Sequence, residues 1–550
     1  MKHHTDTDKS VNIKSDLLKM VWDVIIIGAG MGGGTAAYQL TRYGINVLLI
    51  EKGLSSFKQF HGVQIQQERP QERLESGKWS TKLSSTINGN DADFWAPLGC
   101  GIGGSSLLYG AALQRLQPED FNQQQLPNGQ HTQWPFSYKD LEPYYQQAEQ
   151  LFSVRGTPDP LDKQSYYDLQ PPPVMCGADQ HFFQQFQKAG LHPYHLHVGI
   201  KYTDSCGECS GHICPKACKQ DVNNACIRPS LASGNLTILD QSEVLRLHAN
   251  QKSIDSVEII SNGKQETIRG KYFILAAGAY FSPIILQKSA NKYWPDGVAN
   301  QSGLVGKNLM LHASDFMAFW PKTKLSANAY NGANKSIGVR DFYRSNNQKF
   351  GEFQSTGHIA NYGHILYALR LRFDHNPFLK IPVVGNLLRS FIRNSLRLPA
   401  FIASQLFGGA TVFVTIVEDY PYEDNCVRLD TNTPSGMRIH YSIRNELRDR
   451  AMLMKQKIRS KLSHLRSLPL DQGVNLNFGH PCGTCKAGND PFTSVVDQNC
   501  KAHGIDNLYI ADSSFMPTSG GTNPSLTVAA NALRVADRVA VVLQKALKVA

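Results

Sequence analysis

No run of five or more Lys or Arg occurs in the 550 residues, although Lys+Arg 56 stands against Asp+Glu 45 and the formal charge is +11. Proteins that grip nucleic acid or a phospholipid surface concentrate basic charge in such runs, so the excess reads as a slightly basic surface. Nucleic acid is not expected as a partner. The first twenty residues lack the apolar stretch of a secretory leader, and no twin arginine is present. The expected setting is therefore cytoplasmic, with reduced thiols. An unbroken membrane-length apolar run is also missing: residues 398–417 carry no charge over twenty positions, but Pro399, Gln405, Gly408 and Gly409 interrupt them. Charged residues are few at 18 % while hydrophobic ones reach 41 %, which excludes disorder and fibrous repeats. At roughly 100–200 residues per domain, the length implies two or three domains around a sizeable core.

Cysteine is present in an odd number, eleven, so complete pairing within the chain is impossible. Cys206, Cys209, Cys214 and Cys218 follow C-x-x-C-x4-C-x3-C spacing within thirteen residues, and Cys226 stands apart from them. Four thiolates so spaced can converge on an iron–sulfur cluster or on zinc; free or paired structural thiols are the third reading, and the spacing leaves all three open. Cys482 and Cys485 form a C-x-x-C pair, for which packing is favoured over redox chemistry.

Residues 21–53 carry the first functional pattern. An apolar run from Val24 to Ile27 has the composition of a parallel strand buried on both faces. It enters Gly28-x-Gly30-x-x-Gly33, then helix-forming residues to about Arg42 and a second strand ending at Glu51. In this βαβ order the glycines let the backbone approach a pyrophosphate seated on the helix amino terminus. Glu51, about 20 residues on, is placed to accept hydrogen bonds from a ribose 2′-hydroxyl. The unit predicts dinucleotide binding without separating FAD from NAD. Residues 97–121 add a second glycine loop, Gly99, Gly101, Gly103 and Gly104 followed by Ser105 and Ser106, where backbone amides can meet a ligand closely.

Taken together, these two patterns resemble the first signature of the glucose–methanol–choline (GMC) oxidoreductases. Residues 134–156, 272–289 and 302–312 resemble later segments of that family, and 479–497 and 503–537 are similar to its catalytic and flavin-closing motifs. The resemblance implies an α/β fold: a Rossmann-like FAD domain assembled from discontinuous segments, plus a substrate domain with a mainly antiparallel sheet. The expected layout is a polar tail at 1–20 and an FAD domain at 21–310, with a flavin lid at about 54–98 and the cysteine-rich segment at 206–226. A substrate domain at 311–465 and a return to the FAD domain at 466–550 complete it. Gly28, Gly30, Gly33 and Glu51 would hold the ADP half of FAD, and Gly103, Gly104 and Ser105 would line the pyrophosphate and flavin. Val244 would meet adenine through its backbone, and Asp512 and Pro524 would close the flavin site. Tyr109 departs from the family, many members having Asn there beside the flavin.

Oxidising an alcohol needs a base for the hydroxyl proton, a donor that positions the oxygen and a hydride acceptor. His480 matches the family's catalytic histidine and Asn523 its second catalytic position. The pair resembles the cholesterol-oxidase arrangement and, with the apolar segment 378–407, favours a sterol or long-chain alcohol. The C-x4-C-x3-C spacing resembles that of bacterial iron–sulfur GMC dehydrogenases, so a sugar or polyol dehydrogenase with such a cluster on Cys206, Cys209, Cys214 and Cys218 is the alternative. A GMC-fold lyase or decarboxylase is the alternative of another class. An external electron acceptor is implied, with oxygen, quinone and cytochrome all open.

Between 370 and 397 the chain has six Lys or Arg and one acid, Asp374. Arg389, Arg393 and Arg397 recur at i, i+4, i+8, while Leu388, Phe391, Ile392 and Leu396 fall on another face. The pattern predicts a basic amphipathic helix over 386–398, placed either peripherally on a membrane or over the active-site entrance.

Overall fold

The computed structural model describes residues 15–57, 69–162, 165–203, 206–323, 325–345, 348–359, 392, 394–399, 401, 409–471 and 473–549. β1 (Val21–Ile27) leads into α1 (Met31–Arg42) and β2 (Val47–Ile50), with Val24, Ile25 and Ile26 wholly buried. Four more strands complete the path of the first sheet: β3 (Leu236–Leu239), β4 (Ser242–Ala249), β5 (Ile254–Ser261) and β6 (Lys264–Leu275). Their order is β3-β2-β1-β6-β5-β4, parallel from β3 to β6 and antiparallel through β5 and β4. The long β6 pairs through its first half, Lys264–Arg269, with β5, and through its second half, Arg269–Leu275, with β1.

The glycine fingerprint folds as its chemistry requires. Gly28 has φ 99°, the left-handed region that only glycine enters freely. Gly33 has another task. A methyl group there would stand 1.9 Å from the Gly28 carbonyl oxygen, a backbone atom that cannot step aside. Gly33→Ala should therefore push α1 off the loop that precedes it. The expected outcome is protein purified with little or no flavin, read from the ratio of flavin to protein absorbance; full flavin content would show that the loop can yield.

The second sheet is antiparallel: β7 (Phe316–Trp320), β8 (Ile337–Val339), β9 (Gly351–Ile359), β10 (Thr411–Val417) and β11 (Arg466–Pro469). Its order is β11-β7-β10-β9-β8, closed by the two-residue strand Tyr194–His195. α2 (Gly177–Lys188) and α3 (Asn445–Lys461) pack on it through Phe182, Phe186, Met454 and Ile458, against Phe319, Phe353 and Phe413. Successive side chains of a strand face opposite ways. Phe353 enters this apolar core, so its neighbours Glu352 and Gln354 point to the other side, where they are buried among polar partners.

The chain then returns. β12 (Leu508–Ile510) adds in parallel to β6, and α4 (Ser525–Val549) packs along α1. Of the expected lid, residues 58–68 lie outside the described set. The rest holds the short helix Pro70–Glu75 and the hairpin Leu83–Ile87/Asn90–Phe94, which pairs in parallel with Met437–Tyr441. The basic helix expected over 386–398 falls mostly outside the described residues, as does the apolar segment 378–407. Among the described residues no helix is long and apolar enough to cross a membrane.

Candidate active site

A single cavity of about 1430 Å³ runs from the β1–α1 loop to the start of α4. Gly28, Gly30, Glu51 and Val244 line one end, and His480, Asn523 and Pro524 line the other. α1 begins at Gly30 with no side-chain cap and no acid in its first turn, so its amide groups and positive dipole end stay available. The second glycine loop closes on the first: Gly103 N donates to Ala29 O at 3.0 Å. A methyl group on Gly104 would lie 2.7 Å from Gly30 Cα, a backbone atom, so glycine at 104 is what allows this approach. Such a bare backbone cradle at a helix amino terminus fits a pyrophosphate.

Glu51 is buried and accepts hydrogen bonds from Ala29 N, Gly53 N and Gly101 N at 2.9, 2.9 and 3.0 Å. Burial pushes its carboxyl up while the three amides pull it down, with a net rise. Val244 sits beside a bulge in β4, between the partners of Glu258 and Ile259. Asp512 accepts from Gly278 N, Ser282 Oγ and Ser514 N, tying the returning chain to the helix after β6. Ser105 Oγ accepts from Gly99 N at 3.1 Å, which braces the loop. The Tyr109 ring lines the cavity, but its hydroxyl donates to Gln220 O in the segment behind.

At the end lined by His480 and Asn523, residues 475–482 run beside 310–314, with Asn477 N donating to His312 O and Cys482 N to Met310 O. This register brings His480 against His312, Nδ1 to Nδ1 at 3.2 Å, with the rings nearly perpendicular at 88°. His312 Nε2 lies 2.9 Å from Gly520 O. A carbonyl oxygen can only accept, so His312 Nε2 carries the proton. Burial holds His312 down to about 4, so it is neutral and its Nδ1 is a lone pair. His480 Nδ1 must then donate, which leaves His480 Nε2 unprotonated. The backbone of the loop before Asn523 thus sets the tautomer of His480 through one intervening ring. Asn523 is fixed from behind: its Nδ2 donates to Gln354 Oε1 at 3.1 Å, and Gln354 also accepts from Gln114 Nε2 at 3.1 Å.

Burial first, then the neighbouring His312 and Lys335, hold His480 well below the ordinary histidine value. A base that resists protonation keeps working as acid is added. With His480 as the expected base, kcat/KM for the alcohol that the resemblance implies should stay level through about pH 6.5, the ordinary histidine value, and fall only well below it. An acid limb centred near 6.5 would contradict this burial. Stability follows the same sign. Unfolded histidines take up protons from about pH 6.5 downward, whereas folded His312 and His197 resist to about 4 and about 3. The unfolded state binds more protons over that window, so stability should decline as pH falls from about 6.5.

The four clustered cysteines stand as two pairs. Cys206 is hydrogen-bonded to Cys218, and Cys209 to Cys214. Among the described residues no three His, Cys, Asp or Glu side chains are arranged to hold a metal ion, so the iron–sulfur expectation on Cys206, Cys209, Cys214 and Cys218 finds no support. Their loop is instead organised around buried Lys219, whose Nζ donates to the carbonyls of Leu107, Tyr109, Cys209 and His212. It braces the second glycine loop. Cys482 and Cys485 are buried thiols packed in the core, and burial pushes both up.

The family description GMC oxidoreductase matches residues 22–314 in its amino-terminal form and 421–532 in its carboxyl-terminal form. The chain is 28 % identical to a 6'''-hydroxyparomomycin C oxidase of Streptomyces lividus, over 94 % of this chain and 91 % of that one. It is 25 % identical to the fructose dehydrogenase large subunit of Gluconobacter japonicus, over 94 % and 97 %. Among solved structures, a pyridoxine 4-oxidase from Mesorbium loti superposes with a TM-score of 0.60 at 18 % identity, covering 94 % of this chain and 99 % of that one, a likeness of fold.

Proposed function

The chain belongs to the GMC oxidoreductases, flavoenzymes acting on CH–OH groups, and from that premise we propose that it oxidises a polar, hydroxyl-bearing alcohol with His480 as base and Asn523 as partner. The observation that carries this reading is the Gly520–His312–His480 chain, which leaves His480 Nε2 free to accept a proton. His480 Nε2 takes the proton of the substrate hydroxyl. Asn523, held by Gln354, orients the same oxygen. When bound, FAD supplies the hydride acceptor. The cradle of Gly28, Gly30, Gly103 and Gly104 would hold its pyrophosphate, with Glu51 at the ribose, Val244 at the adenine, and Ser105, Tyr109, Asp512 and Pro524 around the flavin.

A polar alcohol is favoured over a sterol because Asn475, Asn477 and Lys335 line the cavity beside His480. The printed names of the paromomycin-type and fructose-oxidising relatives support the same class. The sterol reading rests on the Asn523 motif and on segment 378–407, which lies outside the described residues. The test is anaerobic mixing of the flavin-loaded protein with sugars, polyols, hydroxy acids, fatty alcohols and sterols. Bleaching of the flavin bands by polar alcohols is the expected result. Bleaching by sterols alone would restore the apolar reading, and no bleaching by any alcohol would turn attention to lyase or decarboxylase chemistry. Peroxide release in air separates oxygen from a quinone or cytochrome acceptor.

A further inference from the structure

Resting on the alcohol-oxidation reading, we propose that Lys335 is the specificity-determining residue of the catalytic chamber and that its ammonium binds a carboxylate carried by the alcohol substrate. Lys335 lies just before β8, is only 8 % exposed, and lines the cavity. Its Nζ donates to Gly110 O at 2.8 Å, next to Tyr109 in the second glycine loop. A methyl group on Gly110 would come within 2.1 Å of that nitrogen, so the glycine is what makes room for the ammonium. Lys335 and His480 line the same cavity, and the lysine acts electrostatically on the histidine.

An ammonium has three donors, and here the carbonyl of Gly110 takes one. Among the described residues no carboxylate comes within ion-pair distance of it. Glu208, the first acid that it feels, is held through its Oε1 by Tyr202 OH, Asn334 N and Lys335 N at 2.8, 3.0 and 3.3 Å. Glu352 acts only from a distance and is bound by Gln114, Tyr194 and Thr522. The acids that do line the cavity are committed elsewhere: Glu51 to backbone amides, Asp512 to Gly278, Ser282 and Ser514, Asp93 to Ser84, and Glu243 to Lys52. A buried cation whose nearest acids act on it only from beyond ion-pair distance is incompletely compensated, and a substrate anion would supply the direct partner on binding. The same charge repels amine-bearing alcohols.

Acetate and its neutral isostere acetamide are the probes. Each is titrated into the FAD-loaded protein, with binding read by calorimetry and by perturbation of the flavin absorption. Acetate should bind and acetamide should not. Lys335→Met should weaken acetate by about tenfold or more, the scale of a lost charge-assisted hydrogen bond, while Lys335→Arg keeps it. In a matched substrate series, wild type should prefer the hydroxy acid to the neutral diol and the amino alcohol, and Lys335→Met should lose that order. Equal acetate affinity in wild type and Lys335→Met, at equal flavin content, overturns the proposal, as does a wild-type preference for the amino alcohol. Should Lys335→Met not fold, Lys335→Gln carries the same titration. Flavin that no alcohol reduces, with acetate binding still dependent on Lys335, sinks the alcohol reading and leaves the anion site standing.

Discussion

His480→Gln retains FAD and reduces it with alcohol about 10²–10⁴-fold more slowly than wild type, the usual weight of a positioned general base. The residue lies at the catalytic end of the cavity, away from the glycine cradle, so flavin content should not change. Anaerobic rapid mixing measures the step directly, because substrate reduction of the flavin is observed without the reoxidation that follows. His312 supplies the internal control. It accepts from His480 Nδ1 and donates to Gly520 O, so it orients the base without touching the hydroxyl. His312→Phe removes the acceptor and allows His480 to change tautomer, an effect expected at roughly 10–100-fold, the scale for a partner that orients a functional imidazole. The two variants therefore fall in a fixed order, His480→Gln slower than His312→Phe. Wild-type reduction rates in His480→Gln would falsify the assignment of the base.

Much of the nucleotide end was legible because its requirements are local. A turn that needs φ 99° at Gly28 and a crossing that leaves no space for a Cβ at Gly33 both write glycine into a six-residue stretch. His480 and Asn523 were legible through their motifs. His312 was not, because its task exists only once two segments 168 positions apart lie side by side. Glu352 and Lys335 were hidden for a different reason: a charged side chain in a strand, or beside one, ordinarily faces water. Here the alternation of β9 places Phe353 in the apolar core and so commits Glu352 and Gln354 to the interior on the other side. The cysteine spacing left iron–sulfur, zinc and structural thiols all open because spacing fixes reach and not direction. Left-handed backbone at Glu208, Cys209 and Ala217 turns the loop so that the thiols meet in twos. Tyr109 shows the same limit, since its position in the loop is local but the partner of its hydroxyl, Gln220, is not.

Glu352→Leu should be the most destabilising substitution near the site. The carboxylate is wholly buried and receives Gln114 Nε2, Tyr194 OH and Thr522 Oγ1 at 2.5, 2.8 and 2.5 Å. Arg340, also buried, lies 3.9 Å from it and 3.8 Å from Asp159. Leucine would remove one of the two acids that balance that guanidinium and take an acceptor from Thr522 Oγ1, Gln114 Nε2 and Tyr194 OH, of which the last two keep Gln354 Oε1 and Gln114 Oε1. Breaking a buried charge pair by deleting one partner costs about 3–5 kcal/mol. The damage should also reach the chemistry: Thr522 adjoins Asn523, and Gln114 holds the Gln354 amide that Asn523 bonds. Urea unfolding of the FAD-loaded protein measures the first effect and kcat for the best alcohol the second. Glu352→Gln keeps the shape and part of the hydrogen bonding, so it should lose less on both counts. The decisive comparison is the double variant Glu352→Leu/Arg340→Leu, which removes the stranded cation as well. It should be less destabilised than the sum of the two single variants, because the larger penalty lies in the charge left alone. Simple additivity would mean that Asp159 alone neutralises Arg340, and that Glu352 serves the site by hydrogen bonding rather than by charge.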